Sequence, residues 1–178
     1  MILLQTERLT LRKLTIDDAP FLLKLLNEPS FIQNIGDKEV RTIDDARVYA
    51  LNGPIASYKQ HGFGLYLVAL KGTGEPIGIC GLVKRDLLPD ADIGYAFLPA
   101  YWRKGYALEA TTAIKQHAFT VLGHQQLLAI VNPENASSIR VLEKIGLKFK
   151  RMVRMTDDAP EICLYSSAKP EPAEQVTE

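Results

Sequence analysis

Apolar and polar positions alternate from Arg8 to Leu14, with Leu9 and Leu11 set against Thr10 and Arg12, and this period of two predicts a strand. Thr15 follows as a helix cap. Asp17 and Asp18 then fall in the first turn, where their charge suits the positive end of the helix dipole, and Phe21, Leu22, Leu25 and Leu26 form the apolar stripe. A second helix is expected from Thr42, with Asp44 and Asp45 in its first turn. Gly53 and Pro54 are expected to break or kink it before Tyr58, since proline lacks an N–H and its ring collides with the preceding turn.

Three β-prone runs come next, FGLYLVAL, PIGICGLV and DIGYAFL, and the short joints KGTGEP and LLPDAD predict an antiparallel meander. A helix is expected from about Gly105 to Leu122, with Ala107, Ala110, Ile114, Ala118 and Val121 on one face and Gly123 as its terminator. Gln126 to Val131 reads as a buried strand. Asn135 opens a further helix whose Ile139, Leu142 and Ile145 share a face, and Gly146 ends it. Two strands close the pattern, near Leu147 to Met155 and Glu161 to Ser166. The order β-α-α-β-β-β-α-β-α-β-β implies one α/β (α+β) domain over residues 1–167. Its sheet is expected to be mixed but mostly antiparallel, of about seven strands, with helices on both faces. Residues 168–178, rich in Pro and Glu, are expected to form a disordered tail.

Composition narrows the functional classes. With 178 residues, 47% of them hydrophobic, the chain can bury a core without metals or disulfides. Lys plus Arg and Asp plus Glu each number 21, so no general field draws nucleic acid or an anionic membrane, and any polyanion must be met locally. Cys80 and Cys163 lie far apart in apolar runs and read as buried thiols. The N-terminal MILLQTERLTLR has no basic leader followed by a long apolar run, and no stretch approaches the ~20 apolar residues of a membrane span. A cytoplasmic location is expected.

Two stretches carry candidate chemistry. DIGYAFLPAYWRKGYALEA reads as a strand ended by Pro99, a short polar loop, and Gly105 just inside a helix start. A helix N-terminus offers unpaired N–H groups and partial positive charge to phosphate, Arg103 and Lys104 add full charges, and Gly105 lets backbone approach a ligand. The same residues also suit a plain strand-to-helix turn. No G-x-G-x-x-G loop is present, which argues against a dinucleotide-binding dehydrogenase. In NPENASSIRVLEKIGLKF, Asn135 suits a helix cap, Ser138 lies in the first turn and Gly146 suits a terminator.

In this order, separated by one helix and one strand, the two stretches resemble the GNAT acetyltransferase family and within it the RimJ/RimL-like branch that acetylates protein N-termini. TERLTLRKLTIDDAPFLLKLLNEP resembles that branch's opening, and the likeness runs from Thr6 to Tyr165. The resemblance implies acetyl-CoA as co-substrate and no metal. Its pyrophosphate motif, Q/R-x-x-G-x-G/A, falls on Trp102, Arg103, Lys104, Gly105, Tyr106 and Ala107, with Trp102 at the Gln/Arg position. Phe97 and Leu98 would pair with the pantetheine arm through their backbone, and Asn135 would contact pantetheine or the reacting centre. Many relatives carry a Tyr seven residues after this Asn as proton donor; here that position is Leu142, and Ser138 is the nearest substitute. A coenzyme A thiol of pKa ~8.5 is already a good leaving group, so this donor's task is light. Asp92 is the candidate base on the strand where some members place a carboxylate, with Tyr95 three residues on and His61 and Glu161 as weaker candidates. His117 and His124 lack metal-like spacing.

Three functions follow. The first is direct transfer of acetyl to an amine, with a protein or peptide α-amino group expected and ribosomal-protein N-termini, aminoglycosides, polyamines and small amino acids all open. The second is a non-catalytic acyl-CoA-binding regulatory module, and the third a partner protein without ligand. Either a monomer or a homodimer is compatible with the sequence.

Overall fold

A computed structural model describes residues 2–171, so all but the first few residues of the expected tail lie outside the described residues. The chain runs β1 (Ile2–Gln5), β2 (Leu9–Lys13), α1 (Ala19–Leu26), α2 (Pro29–Asn34), α3 (Ile43–Ala50), α4 (Ala56–His61), β3 (Leu65–Leu70), β4 (Pro76–Val83) and β5 (Asp92–Phe97). It continues with α5 (Tyr106–Thr120), β6 (Gln126–Val131), α6 (Ala136–Lys144), β7 (Lys148–Val153) and β8 (Ile162–Ala168). The strands form one open sheet in the order β1-β2-β3-β4-β5-β6-β8-β7. Eight strands stand where about seven were expected. The addition is β1, whose ILLQ shows no alternation of its own but folds back on β2 as an antiparallel edge. Every neighbouring pair is antiparallel except β5 with β6.

Successive strand residues point to opposite faces, so each strand supplies two cores. Tyr66 and Val68 of β3 pack with Ala110, Ile114 and Ala118 of α5 and Leu142 of α6, while Leu67 and Ala69 pack with Leu22, Leu25 and Leu26 of α1 and Ala46 of α3. Helices thus cover both faces. Burying each such leucine contributes about 1.5–3 kcal/mol, which fixes the sheet between its helices. The expected face of α5 needs one change: Val121 lies past the helix end and is 68% exposed, and Phe119 takes the buried place. Cys80 and Cys163 are both buried free thiols, and burial pushes each pKa up.

Thr15 and Thr42 both close reciprocal capping boxes, with Asp18 and Asp45 respectively. Pro54 does not end the helical run. The segment Leu51–Ile55 widens into a π-helical turn joining α3 to α4, and a wider turn relieves the clash that a proline ring makes with a tight one. The short helix α2 was also not expected; Pro29 at its first turn starts it. Among the described residues no helix is long and apolar enough to cross a membrane.

Candidate active site

Between β5 and β6 the sheet is held by a single aligned pair, Asp92 with Leu128, with the Leu128 N–H donating to Ala91 O at 3.0 Å. Beyond that pair the two parallel strands part. A parted sheet leaves backbone donors and acceptors facing a gap, where an extended ligand can complete them. The Leu98 N–H donates to Ile77 O at 2.9 Å, so alternate residues Asp92, Gly94, Ala96 and Leu98 turn their backbone toward β4. Tyr95 and Phe97 turn theirs toward the gap. Of the two pantetheine residues expected, Phe97 has its backbone toward the gap, with its carbonyl accepting from Trp102 Nε1 at 2.8 Å. Leu98, the other, turns toward β4 with both backbone groups engaged, its carbonyl accepting from Tyr101 N–H at 2.9 Å.

The chain leaves β5 through Pro99–Tyr101 and enters α5 at Gly105, the residue before the first helical position rather than the one inside it. Gly105 has φ +81, and Arg103 has φ +60, which is uncommon for a residue with a Cβ. The first helical bond is Glu109 N–H to Gly105 O at 3.0 Å. Among the described residues, the N–H groups of Arg103, Lys104, Gly105, Tyr106, Ala107 and Leu108 donate to nothing. Six consecutive open donors at a helix start, with the cationic residues Arg103 and Lys104 in the same stretch, suit an anion. Glycine has a further reason here. A Cβ on Gly105 would stand 3.2 Å from Arg8 Nη2, so that side of the residue is occupied by protein.

The second expected stretch closes the other side of the gap. Asn135 caps α6, its Oδ1 accepting from the Ser138 N–H at 3.2 Å, and the Ser138 carbonyl accepts from Tyr95 Oη at 3.2 Å. Tyr95 therefore bridges from β5 to α6, and burial pushes its pKa up to about 12, which keeps the hydroxyl protonated and able to donate. The Ser138 hydroxyl makes no hydrogen bond among the described residues. Leu142, at the position of the absent tyrosine, is 2% exposed and belongs to the core. The structure so brings Tyr95, Asn135 and Ser138 together.

Asp92 stands apart from them. It shares a face with Ala96 and so with α1 and α3, opposite the face of Ile93 and Phe97 that carries α5 and α6. Its side chain is 2% exposed, and Oδ1 accepts from Arg85 Nε at 3.0 Å. Burial pushes its pKa up to about 6, against the opposing pull of Arg85. Lys38 and Tyr49 also lie close enough to Arg85 to feel its charge. Arg85 was not singled out in the sequence, because a cation seven residues before a carboxylate across a loop has no periodic signature. Tyr95 was noted only as a neighbour of Asp92. His61 stacks on Phe63, and Glu161 pairs loosely with Arg154 at 3.9 Å. Among the described residues no group of three or more His, Cys, Asp or Glu side chains stands together as metal ligands.

Comparison with known proteins agrees with this geometry. Residues 8–148 match the acetyltransferase (GNAT) domain family. The chain is 32% identical to YkkB of Bacillus subtilis over 157 residues, covering 85% of this chain and 88% of that protein. It is 30% identical to the N-acetyltransferase p20 of Bacillus licheniformis, covering 85% of each. An acetyltransferase structure from Agrobacterium tumefaciens superposes with a TM-score of 0.80 at 29% identity, covering 92% of both chains. RimL, a ribosomal L7/L12 α-N-protein acetyltransferase solved with coenzyme A, shares the fold with a TM-score of 0.78 at 16% identity, covering 94% of this chain and 98% of that one. The chain belongs to the GNAT acetyltransferase family and is an acetyl-CoA-dependent acyltransferase.

Proposed function

We propose that the enzyme transfers acetyl from acetyl-CoA to the α-amino group of a protein or peptide by direct attack, with no covalent enzyme intermediate. The observation that carries this reading is the parting of β5 and β6 beside the open start of α5. Pyrophosphate sits on the free N–H groups from Arg103 to Leu108, beside the side chains of Trp102, Arg103, Lys104, Tyr106 and Ala107. The pantetheine arm pairs with Tyr95 and Phe97 as an added strand, which carries the thioester into the gap. The amine enters from the opposite face and adds to the thioester carbonyl, forming a tetrahedral oxyanion that a backbone N–H of β5 steadies. Collapse expels the thiolate. Ser138 donates a hydrogen bond or proton to the departing sulfur, Asn135 holds the first turn of α6 in place, and Asp92, buried beside Arg85, is the carboxylate assigned to accept the proton lost by nitrogen.

The preference for an α-amine rests on charge. Nitrogen must be neutral to attack, and at pH 7 an α-amine of pKa ~7.7 is about 17% neutral while a lysine of pKa ~10.4 is about 0.04% neutral. That ratio is near four hundredfold, or roughly 3.5 kcal/mol, which a lysine-specific enzyme must offset with a strong base. Asp92 is held by Arg85, which favours the less demanding acceptor. Paired peptides test this: one with a free N-terminus and blocked lysine, the other the reverse, incubated with acetyl-CoA and read by mass spectrometry. Modification of the free N-terminus is expected. Modification of lysine alone would overturn the reading, and failure of both beside rapid turnover of a small amine would move the enzyme to small-molecule acceptors.

A further inference from the structure

The loop that carries the free N–H groups is held from outside itself. Arg103 keeps a left-handed backbone that a residue with a Cβ disfavours, and Gly105 has no side chain with which to cap α5. Among the described residues, the one side chain that hydrogen-bonds to the loop between Arg103 and Gly105 is Arg8, from the turn between β1 and β2. Its Nη1 donates to Lys104 O at 2.8 Å, its Nε donates to Glu109 Oε2 at 2.7 Å, and its guanidinium lies over the Tyr106 ring at 4.5 Å. Glu109 is in turn fixed to the same turn, accepting from the Arg8 N–H at 2.8 Å and the Thr6 hydroxyl at 2.5 Å. Burial pushes the Glu109 pKa up, but Thr6 and Arg8 outweigh it and leave the carboxyl below its usual range.

We propose that Arg8 is the positioning residue of the pyrophosphate loop: together with Glu109 it clamps Lys104 and Tyr106 so that the donors from Arg103 to Leu108 converge before the cofactor arrives. The inference rests on the pyrophosphate placement above. It goes further in assigning cofactor affinity to an N-terminal arginine about a hundred residues away in the chain. A planar fork that bonds a carboxylate and a carbonyl while stacking on an aromatic ring is a task lysine does poorly. The Arg8 side chain is 43% exposed, so its removal need not unfold the domain.

Coenzyme A binding to Arg8→Ala, Arg8→Lys and wild type is measured by calorimetry, which needs no acceptor, and steady-state rates are compared for acetyl-CoA and for S-acetylpantetheine, which lacks the pyrophosphate. A tenfold or greater rise in the coenzyme A Kd and in the acetyl-CoA KM is expected for Arg8→Ala, with kcat within about twofold and with S-acetylpantetheine kinetics unchanged. Arg8→Lys should recover only part of the loss. Wild-type affinity in a folded Arg8→Ala would overturn the inference while leaving the site intact. So would an equal loss with both donors, since it would make Arg8 a general support of the fold. Coenzyme A that failed to bind wild type would instead remove the pyrophosphate placement, and the inference with it.

Discussion

Two helix starts face the same gap and are finished in opposite ways. At α6 the chain supplies its own cap, Asn135 accepting from the Ser138 N–H, so that donor is closed before any ligand arrives. At α5 the residue in the cap position is Gly105, which has no side chain to offer, and six donors stay open. The helix starts after Thr15 and Thr42 follow the closed pattern. A helix end that is to hold an anion must forgo its cap, since a capping oxygen would occupy the same donors. The conformation then has to be secured from elsewhere, which here means Arg8, Glu109 and the Trp102 indole. The closed end serves differently, presenting one hydroxyl at a fixed position.

Five substitutions separate the two ends. The largest effect is expected at the closed end: Ser138→Ala should lower kcat ten- to a thousandfold, about 1.4–4 kcal/mol, while coenzyme A affinity holds. Tyr95→Phe is its internal control, because Tyr95 reaches the Ser138 carbonyl rather than the hydroxyl. An unchanged kcat in Ser138→Ala beside a collapse in Tyr95→Phe would pass the donor role to Tyr95.

Asp92 lies on the other face of the sheet from both ends and bonds to neither, so it separates proton chemistry from cofactor binding. Its folded pKa of about 6 stands above the usual carboxylate value, so the native state holds this proton more tightly than the unfolded chain does. The stability it contributes is present below about pH 4 and lost as pH rises through about 6. Arg85 and Lys84 oppose that loss, and the size of the shift corresponds to roughly 3 kcal/mol. Asp92→Asn should flatten the pH dependence of unfolding across that window, read by denaturant melts. If Asp92 accepts the amine proton, kcat/KM of wild type should also rise through about pH 6, and this rise should vanish in the variant with coenzyme A affinity unaltered. A coenzyme A Kd that changed in Asp92→Asn would show that the two functions are not separate.

At the open end, saturating acetyl-CoA at ~100 times its Kd should stabilise wild type by about 2.7 kcal/mol. Gly105→Val should abolish that shift, since φ +81 strains any Cβ and Arg8 Nη2 stands in its way. A folded Gly105→Val with the full shift would locate the phosphates elsewhere. The smallest effect is expected from Asn135→Ala, about 1 kcal/mol of stability for a lost cap, measured by thermal melting without ligand.

How much of this could be read from the sequence depends on how local each signal is. The Thr15 cap, the helix start near Thr42, the faces of α1 and α6 and the strand-loop-helix around Gly105 are written within a few consecutive residues, and all were legible. Asn135 was legible for the same reason, its cap reaching only to Ser138. The strand β1 was not, because ILLQ gains its order by pairing with β2. The interruption expected at Gly53 and Pro54 takes the form of a π-helical turn, whose width the neighbouring sequence does not encode. The Arg8 clamp joins residues 101 apart in the chain, and the Arg85 pairing crosses a loop, so neither leaves a periodic trace. The opposite backbone directions of Tyr95 and Leu98 depend on which strand residues face β4, a property of register alone.

Amide hydrogen exchange with and without acetyl-CoA tests the contrast between the two helix ends most directly. The amides of Arg103 to Leu108 should gain protection when the cofactor binds, while the Ser138 amide, already bonded to Asn135, should change little. Unaltered exchange from Arg103 to Leu108 in a cofactor-bound enzyme, or new protection centred on the start of α6 instead, would contradict it.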